Sequence, residues 1–385
     1  MERQVASGAI PGLVTLVSRG GEVRVEVLGH LDLEHTMPMR RDTIFRIASI
    51  TKPVAGAAAM MLVDGGVLGL DEPVDRHLPE LADRRVLRRL DGPLADTVPA
   101  ERPITTRDLL SMTMGVGYLM APGSWDFPIC RAYREVTGML QGPPHPQSLP
   151  GQDEWLRRLG SLPLMHQPGA RWMYDLSIDV LGALISRASG QRLDVFMKER
   201  IFAPLGMKDT GFHVPAEKLH RFPPCYQPTN EPGKFTIYDE VTGEWARPHP
   251  FPCAASGLVS TVDDYFAFTR LMLNGGEFQG NRLLSAESVA AMTTDQLAPA
   301  QKEYAQLFMG NNRSWGLGLS VFTGARDPKE TPRGFGWDGG TGTSAYWDAE
   351  QDLIGILLTQ VQWTSPEPPS VRVDFWDAAY REFLS

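Results

Sequence analysis

The sequence predicts an α+β fold: one antiparallel sheet made from the two ends of the chain, flanked by helices, with a mostly helical lobe inserted between them. Three observations carry this. Alternating and β-branched runs gather before residue 48 and after residue 310. The stretch between them carries helical periodicity and long loops. The most apolar run, Val54 to Val63, is rich in Ala and Met, which suits a buried helix better than a strand.

Taken in order, Leu13–Val17 and Val23–Leu28 flank Arg19-Gly20-Gly21-Glu22, and a Gly-Gly pair between β-branched runs signals a hairpin. Thr43–Ile47 reads as a third short strand. The Val54–Val63 helix stops at Asp64-Gly65-Gly66. Ser177 is placed to cap a helix over Ile178–Ala188, with Val180, Leu181, Leu184 and Ile185 on its apolar face and Gly190 ending it. Thr261 with Asp264 opens another, through Phe268 and Leu271 to Asn274-Gly275-Gly276. The Pro-rich stretches 122–150 and 222–252 are too long for simple connections; they read equally as walls of a site or as surface insertions. Gly316–Phe322, Ser344–Trp347 and Leu353–Leu358 are the C-terminal strands, the last two joined by a turn at Ala349-Glu350-Gln351-Asp352. Phe375, Ala379 and Phe383 mark a closing amphipathic helix. No internal repeat is visible. The expected division is 1–65 with 311–385 in the sheet-bearing lobe, and 66–310 in the helical lobe.

Composition narrows the function. The 385 residues carry 37 Lys and Arg against 46 Asp and Glu, a net charge of −9. Nucleic-acid binders need basic stripes to meet phosphates, so no nucleic-acid partner is expected. No run of about 18 apolar residues exists, so no membrane span is expected. The Met1-Glu2-Arg3-Gln4 start lacks the apolar core of a secretory leader, which points to the cytoplasm. Cys130, Cys225 and Cys253 are too few and too scattered for a disulfide framework. The eight histidines show no metal-ligand spacing, and neither a phosphate-binding loop nor a dinucleotide motif is present. No metal and no cofactor are expected. The G-x-S-x-G nucleophile elbow is also absent.

What remains is Ser49-Ile50-Thr51-Lys52. Residues three apart on a helix share a face, so the lysine amine comes within reach of the serine hydroxyl. That hydroxyl is a weak nucleophile until a base takes its proton. Pro53 belongs in a first helical turn, where its missing N–H costs no hydrogen bond. Ser49 then sits at a helix N-terminus, where backbone amides favour developing negative charge. A chain with seven lysines holds roughly 0.4 such pairs by chance, so the spacing alone is weak. Taken alone, it fits a capping serine before a surface lysine as well as a nucleophile beside its base.

Ser49-Ile50-Thr51-Lys52-Pro53 resembles the active-site motif of class C β-lactamase-related serine hydrolases, which share the penicillin-binding-protein fold. Pro168-Gly169-Ala170-Arg171-Trp172-Met173-Tyr174-Asp175-Leu176-Ser177 resembles the family's second motif, where a tyrosine precedes a helix. Gly336-Trp337-Asp338-Gly339-Gly340-Thr341-Gly342-Thr343 resembles the third, on a strand beside the nucleophile. Pro11-Gly12, Ile104–Leu110 and Gly257–Thr261 also match recurrent stretches, so the likeness spans nearly the whole chain in order. The resemblance implies Ser49 as nucleophile, Lys52 and Tyr174 as its base, and an oxyanion hole from the backbone amides of Ser49 and Gly340. It also implies substrate contacts at Trp337, Asp338 and Gly339. Tyr118, Trp125 and Phe127 are candidates to line an acyl pocket, with core or loop packing as the alternative.

The departures point away from β-lactams. Trp337 stands where these β-lactamases carry a lysine for the substrate carboxylate, and Leu176 stands where an asparagine contacts the β-lactam side chain. Met112-Thr113-Met114-Gly115 replaces H-T-S-G, and only about nine residues precede the first strand where relatives carry a longer helix. A tryptophan in the third motif is similar to the esterase branch, the family VIII carboxylesterases. Losing a hydrogen-bonding partner costs about 1–3 kcal/mol of recognition, and the missing charge adds to that. The expectation is hydrolysis of small-molecule, short-chain carboxylic esters through a Ser49 acyl-enzyme, with weak β-lactam hydrolysis at most. The alternatives are acyl transfer from the same intermediate, a β-lactamase or D-amino-acid peptidase, and a non-catalytic binding protein.

Overall fold

The computed structural model describes residues 1–119, 123–138, 145–231, 233–303, 305–324, 332–365 and 367–381. Its centre is a seven-stranded antiparallel sheet. The strands are β1 (Gly12–Arg19), β2 (Glu22–Gly29), β3 (Arg313–Trp315), β4 (Ser320–Phe322), β5 (Phe335–Gly339), β6 (Thr343–Asp348) and β7 (Leu353–Thr359), in spatial order β3-β4-β5-β6-β7-β1-β2. The two ends of the chain meet where β1 pairs with β7, Leu16 opposite Ile356. The expected hairpin is formed with Arg19 opposite Glu22.

Burial follows position in the sheet. Every residue of β7 is buried, as its continuous apolar run requires of a central strand, whereas β2 lies at an edge and is largely exposed. Alternate residues serve two cores. Val14, Leu16 and Ile356 face the main core with the helices α1 (Thr51–Asp64), α2 (Leu176–Ser189) and α3 (Val262–Leu273). Leu13, Tyr346 and Leu357 face a smaller core closed by α4 (Ser370–Arg381) through Phe375, Trp376 and Ala379. Each such aliphatic or aromatic side chain contributes about 1.5–3 kcal/mol on burial. Phe383, expected on this last helix, lies outside the described residues.

Three expectations need correction. Only Phe45–Arg46 of the Thr43–Ile47 segment is strand, and it pairs with Val259–Ser260 rather than joining the main sheet. The Gly316–Phe322 run is not one strand: the chain reverses between β3 and β4, with Gly318 at φ +89°, a left-handed conformation that glycine adopts without strain. Leu317 and Leu319 are fully buried in that turn, which is why it imitates a strand. Ser177 lies inside the first turn of α2, and Asp175 occupies the cap position. Thr261 does cap α3, accepting from Asp264 N–H at 3.2 Å.

The described parts of the two Pro-rich stretches are bonded to one another. Gln147 N–H donates to Glu244 Oε2 at 2.7 Å, and its side-chain amide donates to the Glu244 carbonyl at 2.9 Å. No helix among the described residues is long and apolar enough to cross a membrane.

Candidate active site

From Thr43 to Leu62 every residue is buried except Ser49, which keeps partial access to solvent. A 3-10 turn, Ala48–Ile50, delivers it to the start of α1. Ala48 is held at φ +44°, a left-handed backbone that costs a non-glycine residue about 1–2 kcal/mol. The end of β5, the turn after it and the first residue of β6 supply the restraint. Thr341 Oγ1 donates to the Arg46 carbonyl at 2.6 Å and Thr343 Oγ1 to the Ile47 carbonyl at 2.9 Å. Gly339 completes the contact, because a Cβ there would lie 2.1 Å from Thr343 Oγ1 and 2.5 Å from the Ile47 carbonyl oxygen. Arg46 itself is anchored from the 222–252 stretch: Nε donates to Asp239 Oδ2 at 2.8 Å and the guanidinium lies 3.9 Å above the Phe222 ring.

Lys52, the second residue of α1 and three residues after Ser49, is wholly buried. Its Nζ donates to Ser49 Oγ at 2.8 Å and to the Ala255 carbonyl at 2.9 Å, and it pairs with the Asp175 carboxylate. Tyr174 reaches the same point from the start of α2: Lys52 Nζ lies 4.4 Å from its ring centre, and Ser49 and Lys52 are close enough to its hydroxyl to favour the phenolate. A further donor approaches that hydroxyl, the Trp337 indole N–H at 2.8 Å. Burial opposes charge on Lys52, but Asp175 and Tyr174 outweigh it, so the amine is held above its ordinary pKa and is an ammonium. Burial also pushes the Tyr174 phenol up; the neighbouring Lys52 charge pulls it back, though not fully.

Aromatic rings enclose this cluster. Tyr174 has Phe308 at 5.0 Å, Trp172 at 5.7 Å, Trp337 at 5.8 Å and Tyr118 at 6.1 Å between ring centres. Trp315 meets Trp337 edge-on at 4.9 Å. Trp125 lies 6.4 Å from Tyr118 and is 44 % exposed. Of the three pocket candidates, Tyr118 stacks on Tyr174 and Trp125 follows it outward, while Phe127 packs against the main core ahead of the helix Pro128–Thr137.

Asp338 and Gly339 depart from the sequence reading. On β5 consecutive side chains point to opposite faces. Trp337 joins the main core beside Tyr174, so Asp338 turns to the α4 side. There it accepts from Arg372 Nε at 2.8 Å, Tyr346 OH at 2.9 Å and Ser344 Oγ at 2.5 Å. Those three donors make it a structural anchor between α4 and the sheet rather than a substrate contact. Gly339 is small so that β5 can press on the Ser49 turn. Gly340 differs again, since a Cβ there would meet nothing within 4 Å. Leu176 is buried in the core and offers a ligand no hydrogen bond. Asp175, Phe308, Trp315 and the Ala255 carbonyl escaped the sequence reading. Asp175 stood inside the second motif and was signalled; nothing local marks the other three.

A serine hydroxyl beside a buried ammonium and a tyrosine, at the start of an apolar helix and beside the end of an inner strand of an antiparallel sheet, defines a serine enzyme of the penicillin-binding-protein fold. The chain belongs to the beta-lactamase family, whose model matches residues 1–374. It is 40 % identical over 369 residues to an uncharacterised protein of Mycobacterium tuberculosis, covering 92 % of this chain and 86 % of that one. It is 32 % identical over 388 residues to the esterase EstB of Burkholderia gladioli, covering 96 % and 90 %. Among solved structures it is similar to EstCE1, described as a hydrolase with promiscuous acyltransferase activity, with a TM-score of 0.77, 26 % identity and coverage of 99 % and 95 %. The simvastatin synthase LovD of Aspergillus terreus superposes with a TM-score of 0.78 at 25 % identity, covering 100 % and 97 %.

Proposed function

We propose that the protein is a carboxylesterase that cleaves small, uncharged, short-chain esters through an acyl-enzyme on Ser49. The observation that carries this is the isolation of Ser49: partly open to solvent in a buried stretch, 2.8 Å from Lys52 Nζ and beside Tyr174. Ser49 Oγ attacks the ester carbonyl carbon while its proton passes to the Tyr174 oxygen. The negative charge on the former carbonyl oxygen is met by the backbone amides of Ser49 and Gly340, each worth about 10²–10³ in turnover. Collapse breaks the bond to the alcohol oxygen, which leaves with the proton from Tyr174. Water then repeats the sequence: Tyr174 takes its proton, hydroxide attacks the acyl carbon, and Ser49 Oγ regains a hydrogen as the acid departs. Lys52 and Tyr174 titrate as a pair, so the proton belongs to both.

The substrate class follows from the wall. Trp337, Phe308 and Tyr118 present rings to Tyr174, Trp125 extends this wall outward from Tyr118, and no cation stands at position 337 for a carboxylate. Rings of this kind bury apolar alkyl or aryl groups. The relationship to EstB agrees. Purified protein is expected to release the alcohol from short-chain aryl esters, and Ser49→Ala to lower kcat by about a thousandfold or more while the protein stays folded. Wild-type turnover by that variant contradicts the scheme.

Acyl transfer is the second reading. A monacolin J acid methylbutanoyltransferase of Aspergillus terreus is 27 % identical over 374 residues. In transfer the same intermediate is intercepted by an alcohol in place of water. Product analysis with a competing alcohol separates the two, since a transferase yields mainly the new ester and an esterase mainly the acid.

A further inference from the structure

Lys52 Nζ meets three oxygens from three segments: Ser49 Oγ, the Ala255 carbonyl and the Asp175 carboxylate. Two of these contacts are hydrogen bonds, which either protonation state can donate. The Asp175 carboxylate is an ion-pair contact, and a negative charge against the amine favours the ammonium. Asp175 Oδ1 is buried against the amine, while its side chain as a whole keeps 22 % of its surface open to solvent. One turn along α2, Asp179 accepts from the Ala255 N–H at 3.0 Å, so Ala255 is held at both ends, by Asp179 and by Lys52. Burial and the neighbouring Asp175 push the Asp179 carboxyl up to about 7, so it carries only part of a negative charge near neutrality.

We infer that Asp175 is a positioning residue: its carboxylate, held against Lys52 Nζ, sets the pH at which the Lys52–Tyr174 pair gives up the proton that frees it to activate Ser49. The inference rests on the acyl-enzyme reading and deepens it by adding a third residue that acts through the pair.

The groups facing this cluster are Ser49 and Lys52 at the start of α1, Tyr118 after the helix Thr106–Leu110, Tyr174 and Asp179 around the start of α2, and Cys253 beside Ala255. Burial pushes the Tyr118 phenol and the Cys253 thiol well above their ordinary values, so neither titrates in the working range. A negative charge makes both an ammonium and a phenol hold their protons more tightly. Removing it therefore eases proton loss from the pair, whichever member loses it, and the acid limb of activity moves to lower pH.

The test compares Asp175→Asn and Asp175→Ser, which remove the charge, with Asp175→Glu, which keeps it. The readout is the rate at which a fluorophosphonate labels Ser49 across pH, followed by mass at the Ser49 peptide; it needs no ester turnover. The half-maximal pH is expected to fall by about one unit or more in the two neutral variants and to stay with wild type in Asp175→Glu. An unmoved half-maximal pH in a folded neutral variant, or an equal fall in Asp175→Glu, overturns the inference. If the limb shifts as expected while esters are not turned over, the inference stands and the substrate reading fails.

Discussion

The Trp337 indole donates its one N–H to the oxygen of Tyr174. A hydrogen bond to a charged group is worth about 1.5–3 kcal/mol, more than one to a neutral group, so this donor favours the phenolate over the phenol. Trp337→Phe keeps an aromatic ring beside Trp315 and removes the donor, along with part of the buried indole. The phenol then holds its proton more tightly, and the acid limb moves up in pH, opposite in sign to the shift expected for Asp175→Asn. We predict a fall in kcat of about tenfold or more at neutral pH in a variant that is still folded but has a lower Tm, measured as a pH–rate profile on a short-chain aryl ester. Ser49, Lys52 and Tyr174 were legible in the sequence because each lies in a motif of fixed spacing. The role of Trp337 was only half legible: its lack of charge could be read, but not where its N–H points. Strand alternation was a signal left unused, since Trp337 and Asp338 are neighbours on β5 and only one of them faces Tyr174.

Between elements, the strongest restraint on the Ser49 turn comes from outside α1. Arg46, three residues before Ser49, is buried with Asp239, whose other carboxylate oxygen accepts from Glu244 N–H at 2.7 Å. Breaking a buried pair by removing one partner leaves an uncompensated charge and costs about 3–5 kcal/mol. Asp239→Ala is therefore expected to lower stability by that amount in urea unfolding, whereas Asp263→Ala, on the exposed pair with Arg41, is expected to cost no more than about 1 kcal/mol. Equal losses in the two variants contradict this account. The stretch 222–252 read in sequence as wall or insertion; the structure uses Asp239 as a prop beneath the strand that leads to Ser49. Partnerships such as Arg46 with Asp239, 193 residues apart, leave no local pattern.

Across the whole molecule, the sheet forms because β1 and β7 are both apolar enough to be central, which brings the chain ends together and leaves the middle as a long insertion. This was legible, since β-branched runs at the two ends have few other partners. The split of Gly316–Phe322 into β3, turn and β4 was not, because the turn residues Leu317 and Leu319 are as buried as strand residues. β5 is the element on which both halves depend. One face carries Trp337 to Tyr174; the other, through Asp338 and Arg372, ties the sheet to α4. The three motifs, some 125 to 165 residues apart in sequence, thus converge on one hydroxyl.

That convergence is tested most directly by mixing the protein with an aryl ester of a slowly hydrolysed acyl group and measuring the intact mass, then the mass of each peptide. The account predicts a single acyl adduct, carried by the peptide containing Ser49 and missing from Ser49→Ala. An adduct on any other residue, or acyl transfer that persists without Ser49, contradicts it.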